Sequence, residues 1–279
     1  MTAIFDNRIC KLGEGPLWHP ERAQLFWFDI LGKRMLSRKG GQDQEWQFGE
    51  HVSAAGWIDE DRLLIASETK LFEFNLKTET SQVLCPLEAD DPVTRSNDGR
   101  TDPFGGFWVG TMGKNAELGN GAIYRYYRGE LRKLFPDITI PNAICFAPDG
   151  TRAYFADTAV QTIWLVAMDQ SGWPSGEPEV FLDLSGEDLN PDGAVIDVSG
   201  NLWNAQWGAH QVACYDAQGN FLEAIKFEAE QISCPAFGGA DLTALFATSA
   251  AIGMTGNADG KTYLSQTSAR GQKEHRVTL

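Results

Sequence analysis

Short apolar stretches bounded by polar turn residues recur along the whole chain. Six of them look alike, each about five residues long and rich in aromatic and β-branched side chains: LFWFD, LLIAS, FWVGT, YFADT, LWNAQ and LFATS. Runs of this kind between Gly, Asp, Asn and Pro are typical of β-strands, and stretches with helical periodicity and capping residues are scarce. The pattern predicts an all-β protein.

The six stretches also recur at a nearly regular spacing. Their anchor residues, which lie 37 to 49 residues apart, are Trp27, Leu64, Trp108, Tyr154, Trp203 and Phe246. Each repeat continues into further strand-like runs joined by tight turns, as in AICFAPDGTRAYFADT followed by TIWLVAMD. Repeats of roughly 40 to 50 residues with about four strands are typical of propeller blades. We therefore predict a single six-bladed β-propeller domain over residues 1–279, rather than a β-sandwich or two small barrels.

The two ends of the chain lie outside the six repeats. The N-terminal segment TAIFDNRICKL is predicted to supply the outer strand of the last blade and so to fasten the ring. The C-terminal segment SARGQKEHRVTL is polar, and we expect it to be partly frayed.

The tripeptide Pro-Asp-Gly, a strong turn signal, occurs twice at different distances from the anchors. Asp149 lies five residues before its anchor, where other repeats carry the turn between their first two strands. Asp192 lies eleven residues before its anchor, ahead of the first strand of its blade. The innermost strand of every blade lines the central channel, so residues at this second position converge near the axis. Asp149 is thus predicted to form a turn, and Asp192 to face the channel.

Residues at this second position form a converging set. Ten to thirteen residues before the six anchors stand Glu14, Ser53, Asn97 with Asp98, Asn142, Asp192 and Cys234. Glu14, Asn142 and Asp192 are hard oxygen donors with two negative charges, which suits Ca²⁺, Mg²⁺ or Mn²⁺ better than a thiol-binding metal. Each alone could be an ordinary loop or turn residue. Their shared position in three different repeats favours a metal site in the channel.

Further polar residues are expected at the mouth of the same channel. Arg95 lies two residues before Asn97 and could bind sugar hydroxyls or a developing oxyanion, or could be a surface arginine paired with an acid. His51 is a further candidate to touch the site. The Gly-rich segment of residues 113–121 is expected to form a loop over the mouth.

Composition narrows the classes of partner. The chain has 23 basic and 38 acidic residues, a formal net charge of -15, which disfavours binding to nucleic acid or to anionic membrane surfaces. Five widely spaced cysteines without a C-x-x-C pair, and an N-terminus without the features of a secretory signal, favour a cytoplasmic protein with reduced thiols. The sequence also lacks the motifs of zinc hydrolases, α/β-hydrolases and nucleotide-binding folds.

Four segments resemble, in order, the landmark segments of the regucalcin and gluconolactonase family, also called the senescence-marker-protein family. They are GEGPLWHP, RSNDGRTDPFGGFWVGTM, PNAICFAPDG and NPDGAVIDVSGNLW. The resemblance covers nearly the entire chain and implies a six-bladed propeller with one divalent metal in its channel. It implies Glu14, Asn142 and Asp192 as ligands of that metal, and Arg95 and Asn97 as contacts of the substrate.

The activity implied by the resemblance is metal-dependent hydrolysis of a sugar lactone to the aldonic acid, for which we expect Asp192 to accept the proton of the attacking water. The expected cofactor is one divalent cation, Ca²⁺ first, with Mg²⁺, Mn²⁺, Zn²⁺ and Fe²⁺ as alternatives. Some members hold sugar hydroxyls with a carboxylate soon after Gly-Thr-Met, whereas Lys114 and Asn115 stand there in this chain and Glu117 follows slightly later. The preferred sugar therefore stays open, as do the native metal and the oligomeric state.

Three other functions remain open from the sequence. The same set of oxygen ligands could bind calcium in a protein that catalyses no reaction, as in a regucalcin-like binding protein. The propeller site could instead act on aryl esters or phosphotriesters. An interaction scaffold is the third alternative, although the Trp-Asp dipeptide of scaffold propellers is absent from the chain.

Overall fold

The chain folds into six antiparallel sheets of four strands each, arranged as the blades of a β-propeller. A computed structural model of the chain describes residues 2–279. The strands are β1 (Thr2–Asp6), β2 (Gly13–His19), β3 (Gln24–Asp29), β4 (Arg34–Lys39), β5 (Gln42–Gln47), β6 (Val52–Trp57), β7 (Arg62–Ser67), β8 (Lys70–Asn75), β9 (Ser81–Pro86), β10 (Thr94–Thr101), β11 (Phe107–Gly113), β12 (Gly121–Tyr127), β13 (Glu130–Ile138), β14 (Pro141–Phe146), β15 (Arg152–Asp157), β16 (Thr162–Ala167), β17 (Glu179–Asp183), β18 (Asn190–Ile196), β19 (Leu202–Trp207), β20 (Gln211–Tyr215), β21 (Phe221–Lys226), β22 (Ile232–Gly238), β23 (Ala244–Ser249) and β24 (Thr262–Gln266). The predicted all-β, six-bladed architecture is confirmed.

Helical structure is limited to two short 3₁₀ turns, Thr158–Val160 and Ser185–Glu187, within residues 2–279. None of the helices in this described part of the chain is long and apolar enough to cross a membrane. The six innermost strands, β2, β6, β10, β14, β18 and β22, follow one another around the axis.

The ring is closed by a strand from the opposite end of the chain. The last sheet has the order β1-β24-β23-β22, so the N-terminal strand is its outermost member. Thr2 pairs with Ser265, and Ile4 pairs with Tyr263, in antiparallel register. The N-terminal segment therefore fastens the last blade, as the sequence predicts.

The apolar core consists of six clusters, one between each pair of neighbouring blades. All six anchor residues are buried, with at most 4% of their surface exposed. Two anchors make the same hydrogen bond. The indole N–H of Trp108 donates to Asp102 at 3.1 Å, and the indole N–H of Trp203 donates to Asp197 at 3.0 Å. Each acceptor lies six residues before its tryptophan, so the sequence repeat is also a repeat of contacts.

The C-terminal segment is ordered against the ring, and the prediction that it frays is wrong. Gln272 donates hydrogen bonds of 3.0 Å to the carbonyl oxygens of Phe146 and Ile196, where two inner strands end. Glu274 forms an ion pair with Arg100, and both side chains are nearly buried. A polar composition is typical of a solvated tail. Here the polar side chains instead bind backbone carbonyl oxygens and a charged side chain near the C-terminal ends of the inner strands.

Candidate functional site

All six innermost strands carry an irregularity of register at the same place. The shifts lie between Glu14 and Leu17, Val52 and Ala54, Ser96 and Gly99, Asn142 and Cys145, Pro191 and Ala194, and Ile232 and Pro235. Such bulges bend a strand locally and redirect the side chains of the residues that leave the ladder. The predicted converging set lies at or inside these six bulges, which explains how residues of a regular sheet turn towards the axis.

The bulges bring the predicted site residues to one cavity of about 720 Å³. All five of them line it, and each has at most 6% of its surface exposed: Glu14, Arg95, Asn97, Asn142 and Asp192. They come from four different blades and from positions up to 178 residues apart in the sequence. The structure therefore brings together every residue of the predicted site.

Hydrogen bonds connect three of these residues in a row. Arg95 Nη1 donates to Asn97 Oδ1 at 2.8 Å, and Asn97 Nδ2 donates to Asn142 Oδ1 at 2.9 Å and to the Pro141 carbonyl at 3.0 Å. Asn142 Nδ2 in turn donates to Thr158 Oγ1 at 2.8 Å. The amide of Asn142 is thus held from both sides, and its oxygen keeps a second lone pair for a ligand in the cavity.

The two carboxyl groups of the site are buried beside each other. Burial, and after it the neighbouring charge of Asp98, raise the pKa of Glu14 to about 8, although Arg95 opposes part of this shift. Burial also raises the pKa of Asp192 well above its usual range, with the charges of Glu14 and Asp98 as the next causes. Two adjacent buried carboxyl groups of this kind are stabilised by a shared proton or by a cation.

The donor set fits a hard divalent cation. Glu14 and Asp192 supply carboxylate oxygens and Asn142 an amide oxygen, the ligand types that Ca²⁺ and Mg²⁺ take together with water. Among the described residues that line the cavity, Arg95 alone is cationic, and burial lowers its pKa to about 10. Residues 2–279 contain no group of three His, Cys, Asp or Glu side chains that could hold a metal, and the candidate set accordingly combines two carboxylates with the amide of Asn142.

The thiol in the converging set does not suit a metal ligand. Burial raises the pKa of Cys234 well above its usual range, so that the thiol stays protonated. A Cβ atom on Gly193 would lie 2.3 Å from the Cys234 sulfur, which shows how closely the backbone next to Asp192 approaches this side chain. Cys234 therefore fills space at the axis, and the oxygen donors alone form the candidate site.

The remaining walls of the cavity were not predicted. Their apolar members are Leu12, Met112, Ala116, Ile140, Ala159, Trp207 and Ile252, and their polar members are Thr158, Gln161 and Asn190. Met112, Thr158 and Trp207 each lie four residues after the anchor of their blade. This second shared position, at the end of the second strand of a blade, is the signal that could have identified them.

His51 is not brought to the cavity. Its Nδ1 lies 2.6 Å from Glu68 Oε2, while Lys114 forms an ion pair with the other oxygen of the same carboxylate. Lys114 Nζ also donates to the Pro92 carbonyl at 2.7 Å. These three side chains form a charged cluster that does not line the cavity.

The loop of residues 113–121 reaches the cavity through Ala116, in agreement with its predicted place over the mouth. Glu117 accepts a hydrogen bond of 2.9 Å from Asn115 Nδ2, and both side chains are partly or fully exposed. Neither of them lines the cavity. Glu117 therefore does not supply a carboxylate to the cavity wall.

Comparisons with known proteins match the chain along most of its length. The sequence profile of the SMP-30/gluconolactonase/LRE-like region matches residues 12–251. An L-arabinolactonase of Azospirillum brasilense is 34% identical over 265 residues, covering 92% of this chain and 86% of that protein. A pentonolactonase of Haloferax volcanii is 30% identical over 268 residues, covering 93% and 87%. The crystal structure of a calcium-binding protein, regucalcin, from Agrobacterium tumefaciens has a TM-score of 0.96 at 38% identity, covering 99% of this chain and 97% of that one.

Proposed function

Because the chain belongs to the SMP-30/gluconolactonase/LRE-like family, we propose that it is a metal-dependent lactonase that opens a sugar lactone to the aldonic acid. The observation that carries this proposal is the meeting of Glu14, Arg95, Asn97, Asn142 and Asp192 in one buried cavity. The names of the curated relatives, L-arabinolactonase and pentonolactonase, support the same reaction class. The enzyme would act in carbohydrate metabolism as a carboxylic ester hydrolase.

Glu14, Asn142 and Asp192 are the residues proposed to hold one divalent cation. When bound, the cation would polarise the lactone carbonyl and balance the charge of the two carboxylates. Ca²⁺ is the first choice because the donors are all oxygen and because the regucalcin of A. tumefaciens is described as calcium-binding. Mg²⁺, Mn²⁺, Zn²⁺ and Fe²⁺ are the other cations to test.

Asp192 is proposed as the catalytic base. A water molecule attacks the carbonyl carbon of the lactone, and the Asp192 carboxylate accepts its proton. The bond between that carbon and the ring oxygen then breaks, and the proton held by Asp192 passes to the leaving ring oxygen. Water is added across one C–O bond, and no other reactant is needed.

Arg95 and Asn97 are proposed to bind the substrate. Arg95 uses Nη1 to hold Asn97 at 2.8 Å, which leaves other guanidinium N–H groups for the substrate. The positively charged guanidinium of Arg95, fixed next to the reacting carbonyl, would stabilise the negative oxygen of the tetrahedral intermediate. No reorganisation is needed when that charge develops. The burial of this pair keeps bulk water from screening the interaction.

The proposal is tested with purified protein, a panel of five- and six-membered aldonolactones, and each of the five cations. Metal-dependent release of acid from at least one aldonolactone supports a lactonase. Tight Ca²⁺ binding without hydrolysis of any lactone would instead support a calcium-binding protein, and turnover confined to aryl esters or phosphotriesters would support an esterase on the same site. The five free cysteines fit a reducing compartment, so the cytoplasm remains the proposed location.

A further inference from the structure

Trp207 differs from the other tryptophans of the chain, which has nine of them. Eight pack against another aromatic ring, lie against a guanidinium group or donate the indole N–H to an oxygen: Trp18, Trp27, Trp46, Trp57, Trp108, Trp164, Trp173 and Trp203. Trp207 has no such partner anywhere in residues 2–279. Its side chain is half-buried and lines the cavity that holds the candidate site.

A half-buried indole presents an apolar face and an N–H donor side by side, which are the two features that a partly polar ring ligand can use. The β18–β19 pairing places Trp207 opposite Asn190 and one step along the strand from the Pro191–Gln206 pair. The ring is therefore attached directly beside the strand segment that carries Asp192. It forms part of the wall that a molecule bound at the site would touch.

Two amide side chains adjoin this ring in the same wall. Gln161 Nε2 donates to Asn190 Oδ1 at 3.1 Å and to Asp188 Oδ1 at 3.0 Å, which fixes both amides in place. An aromatic face next to oriented amides suits a hydroxylated ring, whose C–H face packs on the indole while its hydroxyl groups bond to amide groups. A purely apolar ligand would leave these amides unused.

We propose that Trp207 is the binding surface for the ring of the substrate, with Gln161 and Asn190 beside the hydroxyl groups of that ring. This inference rests on the proposed sugar lactonase function and adds a residue that selects hydroxylated ring lactones. Packing on Trp207 is present before and during the reaction, so that it lowers KM and leaves kcat nearly unchanged.

The test compares three variants with the wild-type protein under saturating Ca²⁺. Trp207→Ala removes the ring, Trp207→Phe retains an aromatic face, and Trp173→Ala removes another half-buried tryptophan, one that does not line the cavity. For an aldonolactone, KM is expected to rise about fivefold to tenfold in Trp207→Ala, with kcat changed less than about twofold. Trp207→Phe is expected to restore KM to within about threefold, and Trp173→Ala to leave it unchanged.

A second readout does not depend on catalysis. The indole ¹⁵N–¹H resonance of Trp207 is assigned as the one missing from Trp207→Phe, and it is expected to shift when the aldonic acid product is added, while the Trp173 resonance stays in place. Lactone hydrolysis with an unchanged KM in Trp207→Ala and a stationary Trp207 resonance would overturn the inference. If the wild type hydrolyses no lactone, the proposed function is wrong, and the Trp207 resonance alone then decides whether this ring binds the lactone or the acid.

Discussion

Asn97 Nδ2 donates a hydrogen bond of 2.9 Å to Asn142 Oδ1, so a residue of the third blade fixes the amide of a residue in the fourth. The donor is itself oriented by Arg95, which gives the candidate cation site a support outside its own ligands. Supporting hydrogen bonds of this kind tune the affinity of a metal site without touching the metal.

Asn97→Ala is expected to weaken Ca²⁺ binding about tenfold, because Asn142 loses the group that orients its oxygen. Isothermal titration calorimetry measures the affinity directly. Asn201→Ala is the matched control, since this asparagine donates to Asp197 in a turn away from the cavity and should leave the affinity unchanged. Equal affinities in the wild type and Asn97→Ala would mean that Asn142 is held by Thr158 alone.

The two Pro-Asp-Gly tripeptides allow a comparison within one chain. Asp192→Asn is expected to lower kcat for an aldonolactone by at least about a hundredfold, because the amide cannot accept the proton of the attacking water. Asp149→Asn makes the same change in an exposed turn, where Asp149 accepts hydrogen bonds from Thr151, and should retain full activity. Steady-state kinetics measures kcat for both variants. If Asp192→Asn retained the kcat of the wild type, Asp192 would not be the catalytic base.

The cation-free protein is expected to lose stability as the pH rises. Because the pKa of Glu14 is raised to about 8 in the folded state, folding favours the protonated form of this carboxyl, and Asp192 shifts in the same direction. The contribution of Glu14 is complete below its unfolded pKa of about 4 and is lost as the pH rises through about 8, and the contribution of Asp192 is lost in the same direction. In EDTA the melting temperature should therefore fall between about pH 5 and about pH 8.

Ca²⁺ should stabilise the protein more at about pH 8 than at about pH 5, because protons compete with the cation for the same carboxylates. Differential scanning fluorimetry with EDTA or Ca²⁺ at both pH values measures this difference. Glu14→Gln, which cannot ionise, should show a smaller fall in EDTA. A melting temperature in EDTA that is independent of pH would contradict the burial of ionisable carboxyl groups at this site.

The ion pair between Arg100 and Glu274 is expected to hold the C-terminal segment against the ring. Their side chains are 12% and 11% exposed, so Glu274→Gln would remove the ion-pair partner of a nearly buried guanidinium and leave it only the charge of Asp98, which should lower the free energy of unfolding by about 3 kcal/mol. Glu130→Gln breaks an exposed pair with Arg132 and should change it by less than about 1 kcal/mol. Urea denaturation of both variants checks the contrast; similar values would show that the segment is held by backbone contacts.

The fold and the convergence of the five candidate site residues on one cavity were predictable, because the repeat sets both at once. Trp108 and Trp203 recur at matching positions, and that register also places Asn97 and Asp192 at the axis. Thr158 and Trp207 also share a position in the repeat, four residues after the anchor. Their side chains have no chemistry in common, so the sequence alone does not indicate that this position lines a site. The contacts of Gln272 were not predictable, because they join a side chain to main-chain carbonyl oxygens, which every sequence possesses.

The closure of the last blade by β1 affects how the molecule is made. Residues 2–6 are synthesised well before their partner strand, residues 262–266, from which more than 250 residues of chain separate them. Glu14 of the first blade can likewise meet Asp192 of the fifth blade only after the residues between them have been synthesised. Pairings over such long sequence separations form late and slowly. The three residues of the proposed cation site therefore cannot meet in the nascent chain before the fifth blade has been synthesised and has joined the ring.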